Sequence, residues 1–186
     1  MTLEAEVKRL PLTNRMTLRL PTTIVQILKA EAEKKDLPLN ALVSKILNKS
    51  IAFDRNINVL PIVVIPNQLF IQIIDSVDDA AMDSIVNEGL TTLKKLFVML
   101  GKRYELREII DNHFVILEKY CGWYNFIYES ENSHHRLVFE IRLGHKWTRF
   151  VFTYVKSVLE SLRSLHMEYE SINDNVIVFE VREYLH

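Results

Sequence analysis

Arg15, Thr17 and Arg19 occupy alternate positions of the run R-M-T-L-R-L-P. In an extended chain these three side chains share one face. An arginine fork can grip guanine O6 and N7 with two hydrogen bonds, and threonine can bond a base edge or touch a thymine methyl. The set suits the reading of duplex DNA. A second cluster, His145, Lys146 and Arg149 in L-G-H-K-W-T-R-F, crowds positive charge at the expected start of a helix, where the macrodipole disfavours it. An anion seated among them and held by free backbone amides would explain the placing. So would side chains that simply reach into solvent.

The elements that position the first cluster are short. Met16, Leu18 and Leu20 alternate with the polar residues, which predicts a strand with one apolar face. Pro21 ends it and opens a helix whose Ile24, Ile27 and Leu28 lie opposite Lys29, Glu33 and Lys34. The segment D-L-P-L-N at 36–40 interrupts the pattern, and Leu39, Leu42, Val43, Ile46, Leu47, Ser50 and Ile51 are spaced for one face of a second helix. A lone strand leaves its backbone donors and acceptors unpaired. A second copy of the chain supplies the missing neighbour, giving an antiparallel two-stranded ribbon that fits the major groove.

This strand and helix pair resembles the ribbon–helix–helix DNA-binding proteins of the Arc/MetJ and CopG type. The resemblance implies base reading by Arg15, Thr17 and Arg19, and a DNA phosphate held at the start of the second helix, around Pro38, Leu39, Asn40 and Ala41. That family usually has glycine early in the turn and serine or threonine before the second helix, where this chain has Asp36 and Pro38. Proline lacks an N–H, which shifts the expected clamp toward Asn40 and Ala41. The L-G-H-K-W-T-R-F run resembles a motif of uncharacterised archaeal proteins, in which such a head precedes a similar C-terminal domain.

Charge is divided unevenly. Residues 1–56 hold ten Lys or Arg against six Asp or Glu, and the remaining 130 hold thirteen against eighteen, within a total of −1. A basic head on a mildly acidic body is the balance a tethered DNA reader needs. Lys8 and Arg9 in the N-terminal arm could add phosphate contacts. The single cysteine, Cys121, excludes an internal disulfide framework and fits a reducing cytoplasm. No apolar run approaches the length of a membrane helix, and V-L-P-I-V-V-I-P at 59–66 is too short.

The domain plan is a flexible arm over 1–13, the ribbon–helix–helix unit over 14–55, a linker or short strand over 56–66, and an α+β domain over 67–186. Helices are predicted from Pro66, over 78–100 with Gly89 a soft spot and Gly101 a stop, and over 103–120. W-Y-N-F-I-Y-E and R-L-V-F-E-I-R-L read as a hairpin around a turn-like E-S-E-N-S-H-H, followed by a helix over 146–165 and a second hairpin. The order ββαββ after helices predicts an antiparallel sheet. Sixteen of the eighteen aromatic residues lie beyond position 87, which places the large core there.

Other chemistries find little support. His113, Cys121, His134, His135 and His145 are the candidate metal ligands, but no H-x-x-x-H, H-E-x-x-H or C-x-x-C spacing joins them. His113 on an apolar helix face reads as a core histidine, and His134 and His135 as exposed turn residues. No phosphate-cradling glycine loop or nucleophile elbow is present, and Glu129, Glu140, Glu168 and Glu170 read as solvated. The expectation is a cytoplasmic, homodimeric, sequence-specific transcriptional regulator that binds double-stranded DNA. It needs no cofactor and no metal, has no membrane partner and is not an enzyme. Its C-terminal domain would sense a small-molecule or protein effector, build higher oligomers or dock a partner. The alternatives are an antitoxin-like protein and a metal-responsive regulator.

Overall fold

A computed structural model describes residues 16–54 and 63–184. The chain divides into two compact units, residues 1–47 and 48–186. In the first, α1 (Thr22–Lys34) starts after Pro21, whose carbonyl accepts the Val25 amide at 3.1 Å. Its end closes on Asp36, which adopts a left-handed φ of 51°. The Leu37 amide then reaches the Ala32 carbonyl at 2.9 Å, and the Asp36 amide reaches that of Glu33 at 3.1 Å. These are the paired bonds of a Schellman motif, with aspartate at the position that glycine favours. α2 (Leu39–Lys49) follows and runs into a π-helical turn, Ser50–Asp54.

The strand expected over 15–20 requires correction. Arg15, with Lys8 and Arg9, lies outside the described residues, and residues 16–20 form no strand. A strand exists only against a neighbour, and among the described residues the first strand begins at Asn125. Met16 and Leu18 are accordingly 67% and 50% exposed. Of this unit's large apolar side chains, Leu42 alone among the described residues is fully buried.

The second unit is α+β, as expected. Of the linker or short strand expected over 56–66, residues 56–62 lie outside the described residues; 63–66 are irregular, with Val63 and Val64 almost fully exposed. α3 (Asn67–Ser76) leads to α4 (Asp79–Met99), which the Asp78 side chain caps through the Ala81 amide at 2.7 Å. Gly101, at φ 64°, closes α4 and lets the Lys102 amide reach the Phe97 carbonyl at 2.9 Å. The helix expected over 103–120 runs without a break from Leu106 to Cys121, α-helical at α5 (Leu106–Ile109) and widened to π-helical turns at Ile110–Phe114 and Leu117–Cys121. β1 (Asn125–Glu131), β2 (His134–Glu140), α6 (His145–Glu160), β3 (Leu165–Ile172) and β4 (Val176–Glu183) complete the chain.

The four strands form one antiparallel sheet in the order β1-β2-β4-β3. Two boundaries differ from expectation. The first hairpin turns on Asn132 and Ser133 alone, with Asn132 at φ 55°, so His134 and His135 belong to β2 and not to a loop. α6 stops at Glu160, and Leu165 opens β3 instead of ending the helix. Alternation along the strands sends Leu137, Phe139, Ile177 and Phe179 to the inner face, where α6 packs with Val151, Val155 and Val158. α4 packs on α6, with Gly89 at the contact. A Cβ at that position would stand 3.1 Å from Tyr154 Cε2, so the glycine that weakens α4 locally is what admits the tyrosine ring.

Candidate functional site

In the first unit, Thr17 and Arg19 are exposed in the irregular segment before α1. The start of α2 lies in the same unit. The Pro38 carbonyl accepts the amides of Ala41 at 2.9 Å and Leu42 at 3.1 Å. The amides of Leu39 and Asn40 have no backbone partner among the described residues, and Pro38 contributes none. The open donors therefore sit at Leu39 and Asn40, one residue earlier than the missing proline N–H suggested. Asp36 shows why the turn works without glycine: a short side chain tolerates the left-handed region at a modest cost.

In the second unit, His145, Lys146 and Arg149 come together at the first turns of α6, as their spacing required. Lys146 and Arg149 meet partners from the chain itself. Lys146 Nζ donates to the Asp75 carbonyl at 3.0 Å, in the last turn of α3, where the helix dipole is negative. Arg149 lies 3.8 Å from the Asp79 carboxylate at the head of α4. His145 and Arg149 line an open cleft of about 440 Å³ with Phe152, Thr153, Ile172 and Asp174. Beneath it, Thr148 is fully buried, and its hydroxyl lies 3.0 Å from the Gly144 carbonyl and 3.1 Å from that of Asp174. This threonine ties the start of α6 to the β3–β4 turn. Nothing in its local sequence signalled that role.

The remaining histidines are scattered. His113 Nε2 shares a hydrogen bond with the Tyr154 hydroxyl at 2.7 Å, and its ring lies against Phe114. Loss of solvent holds this imidazole down to about 3, and burial likewise raises the Tyr154 hydroxyl. His134 Nδ1 is 3.0 Å from Glu168, on the sheet's outer face. His135 is buried on the inner face, bonded through Nδ1 to the Tyr128 hydroxyl at 2.8 Å, and burial lowers its pKa. Cys121 is exposed. Among the described residues no three His, Cys, Asp or Glu side chains gather as a metal site would require.

The glutamates are largely engaged by cations. Glu129 and Glu180 flank Arg136 at 3.4 and 3.3 Å, and Glu168 accepts from Arg182 at 2.6 Å. Glu170 takes Lys156 from α6 at 2.6 Å, so it belongs to the inner face and not to solvent. These pairs build a ribbed charge pattern across the strands, and Glu129, Glu168 and Glu180 line one open cleft of about 550 Å³ with His134 and Arg136. No helix of the described residues is long and apolar enough to cross a membrane. Comparison of the chain with protein-family models, with curated proteins and with solved structures returned no match.

Proposed function

We propose that this chain is a sequence-specific DNA-binding transcriptional regulator that works as a homodimer, its 15–20 segments pairing across a two-fold axis as a β-ribbon. The observation that carries this reading is the uncovered apolar surface of the first unit. Met16, Leu18 and Leu20 are exposed at alternate positions, and Ile24, Ile27, Ile46 and Leu47 are exposed on the two helices. Apolar surface contributes roughly 25 cal/mol for each Å² taken from water, so these residues call for a partner. A second copy gives the segment its missing backbone neighbour and the helices a shared core. The same alternation then turns Arg15, Thr17 and Arg19 outward, toward base edges in the major groove. The open amides of Leu39 and Asn40 offer a seat for a phosphate.

Residues 48–186 serve as the sensor or assembly domain in this reading. Their continuous buried core favours a self-standing domain over an antitoxin tail that folds only on its target. Selection of binding sites from a random DNA library tests the proposal, with an Arg15→Ala/Arg19→Ala double variant alongside. A palindrome enriched by the wild type and lost in the variant supports it. Absence of any enriched sequence from either protein overturns it.

A further inference from the structure

The two edges of the sheet are built differently. β3 is broken by a bulge between Met167 and Tyr169, where Glu168 steps out of register. Bulges of this kind spoil an edge for further pairing. β1 has no break, and its register with β2 runs evenly from Asn125↔Glu140 to Glu131↔His134.

Ladder parity identifies the open groups on β1. The Ile141 amide donates to the Asn175 carbonyl at 2.7 Å, and the Glu183 amide to the Ser133 carbonyl at 2.8 Å. Odd-numbered residues of β2 therefore bond β4, and its even-numbered residues bond odd-numbered residues of β1. Phe126, Tyr128 and Ser130 are left aiming their N–H and C=O groups away from the sheet. The Glu118 carboxylate accepts the Phe126 amide at 3.4 Å. The amides of Tyr128 and Ser130 have no partner among the described residues, and β1 is exposed or half-buried throughout.

We propose that this edge pairs with the same edge of a second copy, antiparallel about a two-fold axis through Tyr128. In that register Tyr128 faces its own mate and exchanges two bonds with it, while each Ser130 amide donates to the opposite Phe126 carbonyl. Both open donors of each copy are used, and the Phe126 amide stays with Glu118. Of the registers confined to Asn125–Glu131, one other uses both donors; it sets Glu129 against Glu129, and like charges directly opposite are unfavourable. The register about Tyr128 instead sets Glu129 against Ile127, which is 47% exposed and gains cover. This interface is separate from the pairing proposed for residues 15–20.

Amide hydrogen exchange on the full chain, with its mass measured by light scattering, tests the proposal. The expected result is a multimer in which the Tyr128 and Ser130 amides exchange at least tenfold slower than unpaired strand amides. Ile127→Glu and Ile127→Lys form a matched pair on an exposed site. The first sets a third and fourth carboxylate at the axis and should weaken the association up to about tenfold, with protection of Tyr128 falling in step. The second faces Glu129 and should leave both unchanged or strengthened. Fast exchange at Tyr128 in a multimer overturns the proposal, as does slow exchange in a species with the mass of one chain. Equal effects of the two substitutions overturn the register. The DNA selection above reads the head alone, so either proposal can fail without the other.

Discussion

Residues 16–47 and residues 48–184 contain helices of similar quality, yet they treat their apolar surface in opposite ways. In the second unit, α4, α6 and the inner sheet face bury Leu93, Phe97, Phe114, Phe139, Val151 and Phe179 almost completely. In the first, the helices and the preceding segment leave Met16, Leu18, Ile27 and Ile46 in water. Local hydrogen bonding in the first unit is intact, down to the Schellman close at Asp36, but helical stability in proteins comes mostly from packing an apolar face. One unit buries that face within itself. Among its described residues the other leaves most of it in water, and in the proposed pairing a second copy covers it.

The sharpest way to break that comparison is to damage the finished core. Phe139 is fully buried and makes edge contacts with Phe114, Tyr124 and Phe179. Phe139→Ala should cost the second unit about 3–5 kcal/mol, read as a lower denaturant midpoint that does not move with protein concentration. If the first unit's core is shared between copies, as proposed, its unfolding should move with concentration. A first-unit transition independent of concentration would mean that residues 16–47 need no partner.

A second test uses acid. The His113 imidazole is held down to about 3 in the folded chain and titrates near 6.5 when unfolded. Above 6.5 it is neutral in both states. Below 6.5 the unfolded chain takes up a proton that the folded chain refuses, so stability falls by up to about 1.4 kcal/mol per pH unit until pH nears 3. His135, also lowered by burial, adds to the loss from the same upper limit. Between pH 6.5 and 5 the His113 contribution reaches about 2 kcal/mol. His113→Gln should flatten the stability–pH curve of the second unit by that amount, whatever it does to the level at pH 7. An unchanged slope would mean that the ring opens to water when charged.

The parts readable from sequence are those governed by neighbours along the chain. The apolar spacing of α1, α2, α4 and α6 and the ββαββ order needed only local periodicity. What was misread depends on distant residues. His134 and His135 look like turn residues because polar side chains crowd the hairpin, yet His134 faces Glu168 and His135 is buried near Tyr128. Leu162 and Leu165 continue the helical spacing past Glu160, and only pairing with β4 shows Leu165 to be a strand residue. Gly89 reads as a flaw in α4 until Tyr154 is seen against it. For the candidate sites, the cluster at 145–149 was visible, but its partners Asp75 and Asp79 come from other helices. The strand at 15–20 fails in the other direction, since no segment of the described chain pairs with it.

The smallest effect isolates the turn that joins α1 to α2. Asp36 sits at φ 51°, a conformation that costs a non-glycine residue on the order of 1 kcal/mol, reduced for aspartate by its short polar side chain. The Leu37 and Asp36 amides already make both bonds of the helix close, so glycine would keep the geometry and remove the strain. Against this, glycine frees the unfolded chain and returns part of the gain. Asp36→Gly should therefore stabilise the first unit by roughly 0.5 kcal/mol, and Asp36→Asn by less. Both should raise its midpoint at every protein concentration by the same increment, because the turn is internal to each copy. The concentration dependence itself should not change. Ile27→Ala, on the exposed apolar face, should instead weaken association and move the midpoint most at low concentration. If the turn variant also altered the concentration dependence, the close at Asp36 would belong to the shared core, and the line between local order and missing partner would lie elsewhere.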